Sequence, residues 1–350
     1  MRIVNIMLAE VRGGVETMAL RYHQALRGAG FEVISLGHPK GVFAEAVATG
    51  NLAAEECVPV NALVNHDPRA AWQLRAVDRA FRPDIVLAHG NRPTGIALLP
   101  FVGTAAKTVQ VAHNFRHKAQ VDRVAAAIAV SRSVHDSLRT AHPALPVFEV
   151  LNFGPLATAP VKPAPSGVPV IGTLGRLHHN KGVDIMLHAL ARLKARGVAA
   201  QLRIAGDGPE MAKLRALAAE LDLGSDVDFA GWVKPADYLP SLDLFVLPSR
   251  VEPFGLVVAE AMAAGVPVVA SHIDGPQEIL SEGALGRLVP PQDAAALADA
   301  IETAITDWRA TLEKAVAAQA DAIERFSLEA GERRLKTVIE QIAQIFPNSS

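Results

Sequence analysis

Short apolar runs of strand length alternate with helix-period stretches along nearly the whole 350-residue chain, and the alternation starts afresh past its middle. In the front half strands are predicted near 2–8, 31–36, 84–90, 108–113, 127–131 and 147–152, with helices over 15–29, 68–81, 92–102 and 131–141. Gly28 and Gly30 mark the end of the first helix. The stretch GPLATAPVKPAPSGVP, 154–169, then interrupts the pattern; its prolines resist helix and sheet, and it reads as a linker. Beyond it strands are predicted at 168–174, 201–206, 227–231, 244–248, 266–271 and 286–290, with helices over 182–196, 209–221, 254–264 and 294–316. A last helical segment covers 328–345. Apolar strands separated by helices build a mostly parallel sheet covered on both faces. The expectation is therefore an α/β chain of two Rossmann-like, doubly wound domains. Ligands of such sheets bind beyond the carboxyl ends of the strands, so chemistry should sit just after strands.

Composition narrows the field. Hydrophobic residues make up 50% and charged residues 20%, which describes a globular chain with ample core. The single cysteine, Cys57, excludes an intramolecular disulfide, fits a reducing cytoplasm, and reads as a small buried hydrophobe. The opening MRIVNIMLAEVRGG has an apolar run too short for a signal peptide and broken by Asn5, so it reads as a first buried strand. No window offers the roughly 18 uninterrupted apolar residues that a membrane span needs. Residues 1–150 hold 16 Lys and Arg against 12 Asp and Glu, and the remainder 18 against 24, for a net charge of −2. That mild basic bias, with Arg12, Arg21, Arg27, Arg116 and Lys118, predicts a cytoplasmic protein with peripheral attachment to an anionic membrane face. It is too weak to suggest nucleic acid, and no nucleic-acid-binding motif is present.

The second half carries most of the chemistry. In GTLGRLHHNKGVD, 172–184, a strand ends and a helix opens; Arg176 and Lys181 lie in the turn, with Gly172, Gly175 and Gly182 keeping the backbone thin. Two cations and free amides at a helix N-terminus suit a diphosphate, the alternative being a pair of solvated surface cations. His178 and His179 lack Cys, Asp or Glu at ligand spacing, so they read as loop histidines and no metal is expected. AGDGPE, 205–210, allows a tight turn at Gly206 and Gly208 and a helix start at Pro209, but is not the GxGxxG of a nicotinamide dehydrogenase. Phe229-Ala230-Gly231-Trp232 ends another strand, where a backbone edge could read a nucleotide base or be an ordinary strand end.

SRVEPFGLVVAEAMAAG, 249–265, holds two carboxylates with seven residues between them. Glu260 falls in an apolar helix, where an unpaired charge is costly. Ribose hydroxyls can donate to Glu260 and hexose hydroxyls to Glu252, while the amides of Phe254, Gly255 and Leu256 meet the phosphate or sugar at the positive helix end. The alternative for Glu260 is an arginine elsewhere in the chain. In the first half, Gly13 and Gly14 follow the first strand and let backbone approach a phosphate or acceptor. His113, followed by Asn114, ends the strand TVQVAH, either as a structural imidazole or as a group facing ligand.

Together, the Gly-Gly after the first strand, His113, GRL-x3-KG-x-D, GDGP, FxGW and the E-x7-E of EPFGLVVAEAMAAGVPVVAS resemble the retaining GT-B glycosyltransferases of family 4, the group 1 glycosyl transferases. The resemblance implies a GT-B fold of two Rossmann-like domains facing across a cleft. It implies an acceptor-binding domain over 1–155, a nucleotide-sugar-binding domain over 168–326, and a helix over 327–350 that returns to brace the first. By resemblance Arg176 and Lys181 bind the donor diphosphate, Glu260 the ribose and Glu252 the transferred sugar. Gly14, Gly206, Gly231, Phe254, Gly255 and Leu256 complete the donor contacts; Gly13, Gly14, His113 and Asn114 face the acceptor. His113, Glu252, Arg176 and Lys181 are the catalytic set.

Two departures stand out. Asp274 occupies a position in IDGPQEIL where the family often has a second glycine, which bears on sugar contacts near Gly275 and Glu278. Asn152-Phe153-Gly154 replaces a commoner Asn-Gly pair. Asp226-x-Asp228 mimics the metal motif of the other large glycosyltransferase fold but precedes a strand, and reads as turn residues. The implied activity is retaining, metal-independent hexosyl transfer from a UDP- or GDP-sugar, without cofactor, to a glycan or lipid-linked acceptor in lipopolysaccharide or other envelope polysaccharide synthesis. Rival readings are a GT-B-shaped epimerase or hydrolase of the nucleotide sugar and a non-catalytic nucleotide-sugar binder.

Overall fold

The structure, a computed structural model, describes residues 1–10, 13–62, 64 and 67–346. Its chain divides into two compact units, one holding residues 1–154 with the last helix and the other residues 155–327. The first unit runs β1 (Arg2–Met7), α1 (Gly14–Gly28), β2 (Glu32–Gly37), α2 (Val42–Ala48), β3 (Cys57–Pro59), α3 (Pro68–Phe81), β4 (Ile85–His89), α4 (Asn91–Ala97), β5 (Lys107–Ala112), β6 (Ala126–Ala129), α5 (Arg132–Ala141) and β7 (Val147–Glu149). Its seven strands lie in the order β3-β2-β1-β4-β5-β6-β7, all parallel. The direction of winding reverses between β1 and β4, the place where doubly wound sheets open a crevice. Val4, Ile6, Leu74, Val86 and Ile96 form part of the core on one face, while Met7, Ala19 and Phe43 pack together in another cluster.

The second unit runs β8 (Val170–Leu174), α6 (Val183–Ala195), β9 (Gln201–Ala205), α7 (Met211–Glu220), β10 (Val227–Gly231), α8 (Pro235–Tyr238), β11 (Leu244–Leu247), α9 (Leu256–Ala263), β12 (Val268–Ser271), α10 (Asp274–Ile279), β13 (Arg287–Val289), α11 (Ala294–Thr306) and α12 (Trp308–Phe326). Its six parallel strands lie in the order β10-β9-β8-β11-β12-β13, reversing between β8 and β11. Leu187 and Leu190 of α6 and Leu297 and Ile301 of α11 fill one core with Ile171, Ile204 and Val246 from the sheet. After α12 the chain rejoins the first unit as α13 (Leu328–Ile345), which packs on α1. Gly331 lies so close to the Phe153 ring that a Cβ there would collide with it.

Several expectations need correction, each for a local reason. The helix predicted over 92–102 stops at Ala97, because Pro100 disfavours helical backbone at the residue before it. The single helix predicted over 294–316 is two. Asp307 adopts φ −102° and ψ 66°, ends α11, and accepts from the Ala310 amide at 3.3 Å to start α12. α2, β3 and α10, at 7, 3 and 6 residues, are too short to register as periodic. The segment read as a linker lies against the second unit: Lys162 donates to the Leu242 carbonyl at 2.8 Å and pairs with Asp243 at 3.0 Å, and Gln319 donates to Ala159 O at 2.7 Å. Asp226 closes a 3₁₀ turn, but Asp228 lies inside β10, 3.4 Å from Arg203 Nε. Among the described residues no helix is long and apolar enough to cross a membrane.

Candidate functional site

In the second unit the turns after β8, β9 and β10 are tied to one another. Gly175 N donates to Ala205 O at 3.1 Å, Leu177 N to Asp207 O at 2.9 Å, and Gly206 N to Gly231 O at 2.6 Å. Gly206 and Gly231 thus shape neighbouring strand ends. The turn after β8 enters α6 through Gly182, which has φ +64° and sits where a Cβ would collide with the Pro248 carbonyl. Gly172, by contrast, is not in the turn: it lies within β8 beneath Tyr238 and Leu242, whose side chains take the space of a Cβ.

A residue the sequence reading passed over fixes this turn. Arg250, just beyond β11, donates from both guanidinium nitrogens to Asp184 at 2.8 and 2.6 Å and to His179 O at 2.8 Å, while its amide donates to Asn180 O at 2.8 Å. Burial alone would raise the Asp184 carboxyl, but its hydrogen bonds to Arg250 outweigh that and hold it below the usual carboxylate range. A basic residue immediately after a strand in LFVLPSR was the available signal.

Within this frame Lys181 Nζ meets Glu252 Oε2 in a short ion pair, with side chains 28% and 12% exposed. The two groups expected to grip a donor therefore grip each other across the β8/β11 reversal point. Arg176 is exposed, and its guanidinium has no partner among the described residues. Glu252 O accepts from Gly275 N at 3.1 Å, which joins the start of α10 to the acidic loop. Gly275 is required there, because a Cβ would collide with the Phe254 backbone. Gly255, at φ +90°, is the N-cap of α9, and the amides of Phe254, Gly255 and Leu256 have no partner among the described residues. The Phe254 ring is buried edge-on to Phe326 at 5.7 Å. Glu260 is half-buried on α9, between Ala259 and Ala261, which are wholly buried. Phe229 is covered by the Arg215 guanidinium at 4.6 Å, whereas Trp232 is 72% exposed.

The first unit gathers a different chemistry at the β1/β4 reversal point. His113, half-buried just past β5, meets His89 at the end of β4, Nε2 to Nδ1, at 3.0 Å. His89 Nε2 meets Asn5 Oδ1 of β1 at 2.8 Å, and the Tyr22 ring lies edge-on to His89 at 5.0 Å. Burial pushes the His113 ring down to about 4, and burial with the neighbouring His113 holds His89 well below the usual imidazole value. Both rings are neutral near pH 7. Asn114 is exposed, but its Oδ1 accepts from the Arg116 amide at 2.9 Å and closes a local turn. Gly13 caps α1 and Gly14 begins it; both are exposed, and open space surrounds the position of a Gly14 Cβ. Glu16, unremarked in the sequence, curls toward Gly13; burial raises its carboxyl despite backbone hydrogen bonds that lower it.

The basic residues singled out on this unit have different surroundings. Arg21 donates to Phe153 O at 3.1 Å; Arg27 is exposed but pairs with Glu56 at 2.9 Å, and Arg116 and Lys118 are exposed. Arg12 lies outside the described residues.

Two parallel, doubly wound units with charged turns after their strands are the GT-B glycosyltransferase architecture. Anabaena HepE, solved in complex with UDP and glucose, superposes with a TM-score of 0.82 at 21% identity, covering 97% of this chain and 100% of that one. Residues 158–324 match the glycosyl transferases group 1 and residues 12–147 match glycosyltransferase family 4. The chain is 31% identical over 291 residues to the phosphatidyl-myo-inositol mannosyltransferase of Mycobacterium leprae, covering 79% of this chain and 72% of that one. It is 38% identical over 144 residues to the lipopolysaccharide core biosynthesis glycosyltransferase LpsE of Rhizobium meliloti, and that match spans only 41% of LpsE. This protein belongs to the group 1, family 4 glycosyltransferases.

Proposed function

We propose that the protein transfers a hexose from a nucleotide diphosphate-sugar, UDP- or GDP-linked, to a hydroxyl of a glycan or glycolipid, with retention at the anomeric carbon. The observation that carries the reading is the Lys181–Glu252 pair at the β8/β11 reversal point, beside the open amides of α9. A donor separates the pair: Lys181 turns to the diphosphate with Arg176, and Glu252 accepts from sugar hydroxyls. Glu260 accepts from the ribose. The anomeric carbon–oxygen bond to phosphate breaks and a bond to the acceptor oxygen forms on the same face. The acceptor proton passes to a departing phosphate oxygen, whose charge Arg176, Lys181 and the α9 amides stabilise without a metal.

The acceptor faces the first unit, at Gly13, Gly14, His113 and Asn114. Envelope polysaccharide or lipopolysaccharide synthesis is the proposed setting, supported by the likeness to LpsE and the mannosyltransferase. Attachment to an anionic membrane is proposed on the basic balance of residues 1–150 and the exposed Arg27, Arg116 and Lys118.

The test is turnover of UDP- and GDP-hexoses with and without lipid-linked or oligosaccharide acceptors, in buffer containing a chelator, with the product anomer read by NMR. Acceptor-dependent nucleoside diphosphate release and a retained anomer are expected. Release that ignores the acceptor, or binding without turnover, overturns the reading.

A further inference from the structure

His113 is one end of a buried polar chain whose hydrogen bonds can be oriented one at a time. The Ala19 carbonyl can only accept, so the Asn5 atom 2.9 Å from it is the amide nitrogen. Asn5 Oδ1 therefore faces His89 Nε2 at 2.8 Å, and since an amide oxygen only accepts, His89 Nε2 carries the ring proton. His89 is 2% exposed and neutral, which leaves its Nδ1 as a lone pair. The 3.0 Å contact between the rings is then donated by His113 Nε2.

The other arm runs in the same sense. The second Asn5 amide hydrogen goes to Ser35 Oγ at 3.2 Å, and the Ser35 hydroxyl donates to His23 Nδ1 at 2.9 Å. His23 Nε2 donates to Glu56 Oε2 at 3.3 Å, and Glu56 is anchored by Arg27 at 2.9 Å. Every donor points from His113 toward the Glu56 carboxylate, an arrangement in which each bond polarises the next. Sheet register builds it: Asn5 is the partner of Ser35 between β1 and β2, and His89 the partner of Val111 between β4 and β5.

We propose that this chain locks His113 as the Nε2–H tautomer, so that Nδ1 offers a standing lone pair to a hydroxyl of the bound sugar. Asn5 and His89 are its positioning residues. Nδ1 then recognises hydrogen-bond donors and turns away phosphate and carboxylate oxygens, which would need a proton there. The proposal rests on the reading of His113 as a ligand-facing group, but its first test needs no ligand.

With ¹⁵N-histidine-labelled full-length protein at pH 7, His113 is expected to show a protonated Nε2 and an unprotonated Nδ1. A nitrogen–nitrogen coupling across the hydrogen bond should join His113 Nε2 to His89 Nδ1, the His113 signals being assigned by their loss in His113→Gln and the His89 signals by their loss in His89→Phe. A protonated Nδ1, or a coupling with the opposite donor, overturns the lock whether or not the protein transfers sugar. His89→Phe, checked for folding by circular dichroism, is expected to lower kcat by about tenfold, the worth of one well-oriented hydrogen bond, with donor KM within about twofold. Unchanged kcat in that variant overturns the positioning role, and if it does not fold the wild-type spectrum decides alone. An inactive wild-type protein with the coupling intact sinks the transferase reading and leaves the tautomer lock standing.

Discussion

Lys181 and Glu252 each satisfy the other, and this gives their substitution an unusual sign. Glu252→Gln removes the competitor for the Lys181 ammonium. It is expected to bind UDP or GDP alone up to about fivefold more tightly, because a partly exposed ion pair contributes at most about 1 kcal/mol. The same variant should lose turnover, having lost a carboxylate acceptor for the sugar. Calorimetric titration with the nucleoside diphosphates checks it; weaker affinity in a folded variant removes Lys181 from the diphosphate site. Glu260→Gln should weaken binding of the intact donor by roughly 1.5–3 kcal/mol, the range for hydrogen bonds to charged groups. Unchanged affinity by the same titration excludes the ribose contact. The sequence supplied Lys181, Glu252 and Glu260 by residue type and spacing. That the first two would meet, 71 residues apart, depended on β8 and β11 being neighbours, which spacing along the chain does not encode. His89 falls within the strand predicted over 84–90 and went unremarked for a related reason: its role depends on the register of β1, β4 and β5.

Elements with a strong period were legible to the residue, and those set by capping or by close backbone approach were not. α3 and α13 have the predicted bounds, since each presents an apolar stripe over several turns. The α11–α12 break was hidden because apolar residues continue at helical spacing through Asp307, and only a side-chain cap marks the new start. Asp307→Ala is accordingly expected to destabilise the second unit by about 0.5–2 kcal/mol, the usual cost of losing an N-cap. A lowered urea midpoint followed by circular dichroism would register it. A midpoint equal to wild type would mean that tertiary packing of α12, whose Thr311, Ala315, Ala318, Ala322 and Phe326 are buried, fixes the helix start without the cap.

Each unit has its own sheet and buried titratable groups, and these groups give the two units different windows of acid sensitivity. In the first unit burial depresses His113 to about 4, and burial likewise lowers His89, His23 and His117. Facing them, Glu56 and Arg27 oppose each other's effect on His23, and His142 adds to the lowering of His117. An imidazole whose folded value lies below its unfolded value near 6.5 is protonated first in the unfolded chain. The unfolded state therefore binds more protons between pH 6.5 and 4, and stability falls as pH drops through that window. For His113 alone the loss is on the order of 2 kcal/mol, the full shift being discounted because the ring is partly exposed. In the second unit Asp184 is also depressed, but from an unfolded value near 3.8, so its contribution persists until the pH falls below that. Hydrogen exchange, corrected for the intrinsic chemical rate, should thus show protection declining in β1, β4 and β5 between pH 7 and 5 while β8 and β11 hold theirs. Equal loss in both sheets would mean that the buried histidine chain is not what sets the acid sensitivity of the first unit. Protection unchanged in β4 and β5 would mean that His89 and His113 already accept protons in the folded state, at odds with their burial.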